Sequence, residues 1–297
     1  MSTKCLLPLI SLCLILAGTT GCRSLNPWAA PPVWQAEQLT AIEGFDIPEC
    51  ALVVPERDAV FVANVSANPD EFWSDDNKGF VSLLNNKGDV ASFRWVKSTP
   101  QLPLHGPKGM CVLGDHLYFT DNTRVMRCSV ETGEGLELFA EGFGKANDLA
   151  TDGNRVWVSD TTENAFIAIT LDGTKTRFTA PQGINGITFS EGRMFGVSWH
   201  LHEVFELDPT GKQPPQPFGL ASEFVNLDGI VVLPDGTFIV SDFKGHRIAT
   251  ITPDRKTVRT LCELDSPADI SIDPDKGILY APEFHQNRVR VYRLKKR

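Results

Sequence analysis

Residues 226–242 read NLDGIVVLPDGTFIVSD. Two short apolar runs, GIVVL and TFIVS, flank Pro234-Asp235-Gly236, a turn signal that pins a tight hairpin between two strands. One polar residue, Asp228, opens the first run. The pattern recurs in IPECALVV, GPKGMCVL, KANDLATD, GINGITFS and SPADISID, whose polar openers are Glu49, Lys108, Asn147, Asn185 and Asp269. Each opener is followed 13 to 15 residues later by the end of a second apolar run: VFVAN, LYFTD, VWVSD, MFGVS, FIVSD or LYAPE.

The openers are spaced by 59, 39, 38, 43 and 41 residues. A period near 40 in short apolar runs, with Gly/Asp turns and no long amphipathic helix, predicts an all-β fold, a six-bladed β-propeller with four strands per blade. The 28 residues after Asp269 hold three strands, DISID, ILYAP and RVRVYRL, and no fourth. The strand-like piece before the first repeat, Val33 to Ile42, is expected to complete the last blade, so that an N-terminal strand closes the ring and no long edge stays unpaired. The propeller is read over 34–297. The wide first spacing comes from an insertion, VSANPDEFWSDDNKG at 65–79, placed where it would lie over the centre of the ring as a lid.

Ahead of the propeller, Cys5–Ala17 is a 13-residue apolar run after one lysine, ending in small residues and Gly21-Cys22. Such a run is short for a bilayer span and fits a signal peptide over 1–21. It resembles a bacterial lipoprotein signal, with Cys22 as the lipidation site and Thr19 a departure from the usual Leu. Residues 22–33 then read as a tether. The implied location is the periplasm or cell envelope, membrane-attached through the N-terminal lipid. The net charge of −9 argues against a nucleic-acid partner. Cys50, Cys111, Cys128 and Cys262 show no metal-type spacing and are read as buried thiols, with one disulfide as the alternative.

Six equivalent positions around one axis bring the openers to a point. Glu49, Asn147, Asn185 and Asp228 offer only oxygen donors there, which favours a hard divalent ion, Ca²⁺ first, with Mg²⁺, Mn²⁺ or Zn²⁺ as alternatives. The competing reading is that Asn and Asp merely cap turns at strand starts. The run Glu49, Asn147-Asp148, Asn185-Gly186, Asp228-Gly229 resembles the SMP-30/gluconolactonase (regucalcin) family, and the related diisopropyl fluorophosphatase and paraoxonase propellers, over the chain from about residue 34. The resemblance implies Glu49, Asn147, Asn185 and Asp228 as metal ligands, Asp148 touching substrate, and Asp228 also as catalytic base or nucleophile. The family's GEGPxW around the glutamate is DIPECAL here, and Lys108 has no counterpart among its substrate-binding arginines.

The expected function is metal-dependent hydrolysis of a lactone or ester, a small-molecule substrate, at the central channel. The alternative is a non-catalytic envelope propeller that binds a small ligand or a protein. Lys108 either holds an anionic group of the substrate or pairs with Asp269 across the channel, and both residues count as substrate-site candidates. His200, His202, His246 and His285 are rim candidates. Asp121, Asp160, Asp242 and Glu283, which end the second runs, are expected to bond the backbone of the neighbouring loop.

Overall fold

The computed structural model describes residues 33–68, 70–85 and 88–297. The expected signal peptide, Cys22 and nearly all of the tether lie outside the described residues, as do Pro69, Asn86 and Lys87.

Strand β1 (Trp34–Glu43) comes first. Blade one is β2 (Pro48–Val54), β3 (Ala59–Asn64), β4 (Phe80–Asn85) and β5 (Val90–Lys97). Blade two is β6 (Pro107–Leu113), β7 (His116–Asp121), β8 (Arg124–Ser129) and β9 (Glu137–Glu141). Blade three is β10 (Ala146–Thr151), β11 (Val156–Asp160), β12 (Ala165–Ile169) and β13 (Lys175–Thr179). Blade four is β14 (Ile184–Ser190), β15 (Arg193–Ser198), β16 (Glu203–Leu207) and β17 (Gln216–Pro217). Blade five is β18 (Leu227–Val232), β19 (Phe238–Asp242), β20 (Arg247–Ile251) and β21 (Val258–Glu263). Blade six is β22 (Ser271–Asp273), β23 (Ile278–Glu283) and β24 (Arg288–Lys296), completed by β1.

The described residues thus form six antiparallel sheets of four strands, the predicted six-bladed propeller. β1 pairs with β24 from Trp34↔Lys296 to Glu43↔Arg288, so the last blade is closed by the first strand of the described residues. The first strands of successive blades pack on one another around the ring and form its inner wall. Blades six and one are also joined by backbone bonds, Asp269 N–H to Glu49 O at 2.8 Å and Ala51 N–H to Asp269 O at 3.3 Å.

The hydrophobic core is divided among the six seams between blades. Each seam holds its own cluster: Phe61 and Phe119 between blades one and two, Val158 and Leu149 between two and three, Trp157 and Met194 between three and four. Phe195 and Phe238 fill the fourth seam, Ile239 and Leu279 the fifth, and Val60 and Tyr280 the sixth. Second strands such as VWVSD lie between two neighbouring blades and are buried at every position, hence their continuous apolar runs. Outer strands such as KTRFT are largely exposed and carry little apolar signal.

The carboxylates that end the second strands do bond neighbouring backbone. Asp121 accepts from His105 and Gly106 N–H at 2.8 and 2.7 Å, and Asp160 from Gly144 and Lys145 at 2.8 and 3.0 Å. Asp242 accepts from Val225 and Asn226, both at 3.0 Å. Each bond fixes the loop entering the first strand of its own blade, and so fixes where the channel residues begin. Cys50, Cys111, Cys128 and Cys262 are all free thiols.

Candidate functional site

The openers reach the channel through a shared irregularity. In five blades the register between first and second strands shifts at the opener: Pro48/Cys50, Pro107/Met110, Ala146/Leu149, Ile184/Ile187 and Leu227/Ile230. One extra residue on the inner strand makes a bulge, which turns its side chains out of the regular alternation. A hydroxyl from the second strand caps the freed amide, with Asp148 N–H donating to Ser159 Oγ at 2.9 Å and Gly229 N–H to Ser241 Oγ at 2.7 Å. The residue after the opener is glycine where blades come closest. A Cβ on Gly229 would stand 2.5 Å from Asp269 Oδ1, and one on Gly186 would stand 2.3 Å from Asp228 O.

Glu49, Lys108, Asn147, Asn185 and Asp228 line one cavity of about 610 Å³. The four proposed oxygen donors are therefore brought together. Asp148 and Asp269 are not on its lining. Asp148 accepts the N–H of Leu149 at 2.6 Å and that of Ile187, in the next blade, at 2.7 Å. Both its oxygens are committed to the seam between blades three and four. Asp269 is held in the seam between blades six and one, where it accepts from the Cys50 thiol and the Ile270 amide. The suggested Lys108–Asp269 pair does not form. Lys108 Nζ donates instead to Gly106 O at 2.8 Å and Asn122 Oδ1 at 3.0 Å.

The electrostatics of this centre are costly without a cation. Burial, then repulsion from Asp228, holds the Glu49 carboxyl well above the usual carboxylate range. Burial, then Asp269, does the same to Asp228, against a hydrogen bond from Asn185. Asp269 is pushed up to about 6 by burial. Burial brings Lys108 down to about 8, with Glu49 as the strongest opposing attraction. Two buried oxygens of this centre, Glu49 Oε2 and Asn185 Oδ1, have no hydrogen-bond partner among the described residues. Asn147 donates through Nδ2 to Thr161 Oγ1 at 3.3 Å, leaving its oxygen as the end available to a cation. Orphaned oxygens beside mutually repelling carboxylates fit a divalent ion bound by hard donors. Among the described residues no three or more His, Cys, Asp or Glu side chains are grouped to hold a metal. The present set has two carboxylates and two amides.

The first-blade insertion lies over this cavity. Its Asp70, Phe72 and Trp73 are on the lining. Val65, Ala67 and Phe72 pack with Phe243, Ala268 and Phe284 in a small apolar cluster of their own. Trp73 lies over two ammonium groups, 4.0 Å from Lys108 Nζ and 4.9 Å from Lys145 Nζ.

Of the rim histidines, His200 and His285 line the cavity, while His202 and His246 do not. His246 Nδ1 instead stands 3.0 Å from Asp265. The reading of the openers did not reach Lys145, Thr161, Trp199, Phe243, Lys244 and Phe284, which also line it. Most belong to the turns that follow the second strands, Thr161-Thr162, Trp199-His200, Phe243-Lys244 and Phe284-His285. Extending the repeat two residues beyond those strands is the signal that finds them.

The sequence matches no family model and no curated protein. Solved structures do share its fold. Virginiamycin B lyase from Staphylococcus aureus aligns with a TM-score of 0.63 at 13% identity, covering 88% of this chain and 99% of the lyase. A catalytically inactive histidine-to-alanine form of that lyase, solved with quinupristin, aligns at 0.60 and 15% identity over 88% and 99%. A gluconolactonase candidate aligns at 0.66 and 18% identity over 89% of this chain and 93% of its own. At such identities the likeness establishes the fold.

Proposed function

We propose that the protein is a divalent-metal-dependent hydrolase of the gluconolactonase type, acting on a lactone or ester in the central channel. The observation that carries this reading is the pair of orphaned buried oxygens, Glu49 Oε2 and Asn185 Oδ1, in one cavity with Asn147 and Asp228. These four residues would hold the ion, with Ca²⁺ the best match to an all-oxygen set. Bound there, it would polarise a carbonyl and stabilise charge developing on its oxygen. Asp228 is the proton acceptor for the attacking water. The proton then passes to the departing alcohol as the ester C–O bond breaks. Phe72 and Trp73 of the lid reduce access of bulk water to the cavity.

A second reading, elimination in place of hydrolysis, is favoured by His200 and His285 on the same lining and by the histidine that the lyase neighbour requires. Turnover of a lactone and ester panel in ¹⁸O-labelled water separates the two, because hydrolysis places label in the product acid and elimination does not. No turnover in calcium, magnesium, manganese or zinc on a broad panel would leave the ligand-binding reading.

The proposal extends to location. The chain would act at the bacterial envelope, attached through a lipid on Cys22. Cys22→Ser should release it from membranes, and unchanged membrane association would refute the anchor.

A further inference from the structure

The cavity has two unlike walls. Lys108 and Lys145 stand on the blade-two and blade-three side. Neither forms an ion pair within 4.0 Å among the described residues. Lys108 is spent on two neutral acceptors and both amines rest on Trp73. Blades five and six lie opposite in the ring. They carry Phe243 and Phe284, whose rings meet edge to face at 5.6 Å, and Trp199 of blade four adjoins Phe243 at 5.3 Å. The lid spans both walls with consecutive residues. Trp73 covers the lysines, and Phe72 packs edge-on against Phe284 at 5.0 Å.

Charge on the lining adds to this. An ion at the candidate metal site would offset Glu49 and Asp228. That leaves Lys108 and Lys145 on one wall, an exposed Lys244 beside Trp199 at the other, and Asp70 as the one further acid on the lining. The cavity is then cationic inside a chain whose net charge is −9, so the local sign is opposite to the global one. Lys108 is buried and Lys145 half-buried, and ammonium groups shielded from water without a carboxylate partner are matched by an anionic ligand group.

We infer that the substrate is an amphiphilic organic acid: its anionic group lies on the Lys108–Lys145 wall and its apolar or aryl body lies against Trp199 and Phe243. The scissile bond then falls between the two walls, over Glu49 and Asp228. This deepens the function proposed above and rests on the same cavity being the site.

Equilibrium binding tests it without requiring catalysis. Phenylphosphonate, benzamide and inorganic phosphate are titrated calorimetrically, both with calcium and with chelator. The full probe should bind at least about tenfold more tightly than either half-probe. Lys145, whose amine makes no hydrogen bond among the described residues, should on replacement by methionine (Lys145→Met) lose about tenfold for phenylphosphonate and nothing for benzamide. Phe243→Ala should weaken phenylphosphonate and leave inorganic phosphate unchanged. Equal affinity for phenylphosphonate and benzamide, or unchanged phenylphosphonate binding in Lys145→Met, would overturn the inference. A protein that binds the probe in this pattern and turns over no ester would retain it and lose the hydrolase reading.

Discussion

Lys108 Nζ and Asn122 Oδ1 are joined at 3.0 Å, and that bond ties the channel floor to its cover. Through its other end Asn122 donates to Ser74 O at 3.1 Å and to Asp75 Oδ1 at 3.0 Å. One buried amide thus holds a cavity lysine and the lid together.

Replacing Asn122 by glycine, which tolerates its positive φ of 58°, should loosen the lid. Lys108 keeps Gly106 O as its remaining acceptor, so global stability should fall by only about 1–3 kcal/mol. Backbone hydrogen exchange over 70–77 should accelerate by more than that loss accounts for. Exchange in the lid that merely follows the global change would refute the latch.

Glu49→Gln should change the sign of its effect with the metal. In chelator the variant should match or exceed the wild type, since it removes a buried carboxylate repelled by Asp228. In calcium the wild type should gain about 2.7 kcal/mol at a hundredfold excess over Kd, and the variant far less. Melting curves in the two conditions decide it. A wild type indifferent to calcium, magnesium, manganese, zinc and chelator would refute the ion.

Asp148→Asn separates a seam residue from a substrate residue. An amide cannot accept from both Leu149 and Ile187 as the carboxylate does, so unfolding free energy should drop by about 1–3 kcal/mol. Affinity for cavity ligands should hold. A raised KM with unchanged stability would return Asp148 to the substrate.

Glu283 makes the closing blade sensitive to acid. Its side chain is 2% exposed and accepts from Arg290 Nε at 2.6 Å, from Arg288 and from the Asp265 amide. Burial alone would raise its pKa; the arginine hydrogen bonds outweigh burial and hold it below the ordinary 4.5. A depressed carboxyl stabilises the fold above its unfolded pKa and loses that contribution as pH falls through the folded value. Glu283→Gln should cost on the order of 2 kcal/mol at neutral pH. The gap in urea midpoint should close below pH 4.5. A gap independent of pH would refute the charge-based account.

The ring was legible because the second strands, buried on both faces, spell continuous apolar runs six times. The closing strand was legible from the deficit after Asp269. Outer strands such as Gln216–Pro217 leave almost no mark, since two exposed residues bury nothing. At the centre, register along the repeat points Glu49, Asn147, Asn185 and Asp228 inward, and these four residues line one cavity. The substrate role for Asp148 comes from the resemblance and not from the register, and the bulge at this position sends its carboxylate into the seam. The partner of Lys108 was equally hidden. Asn122 lies in the turn after the second strand, outside the openers, and only folded geometry shows that the amine reaches it.

The pairing of β1 with β24 sets an order of events during synthesis. Strand β1 leaves the ribosome before any blade exists, yet its partner spans residues 288–296. Five blades are built from strands close together in sequence, whereas β1 has no native partner until residues 288–296 are present. Blade six stays unfinished until nearly the whole chain has been made. Sealing it requires one contact across almost the entire sequence, a slow step for entropic reasons. Until β24 is in place the edge of β1 has no native partner, and an unpaired edge is where another unfinished chain would add on.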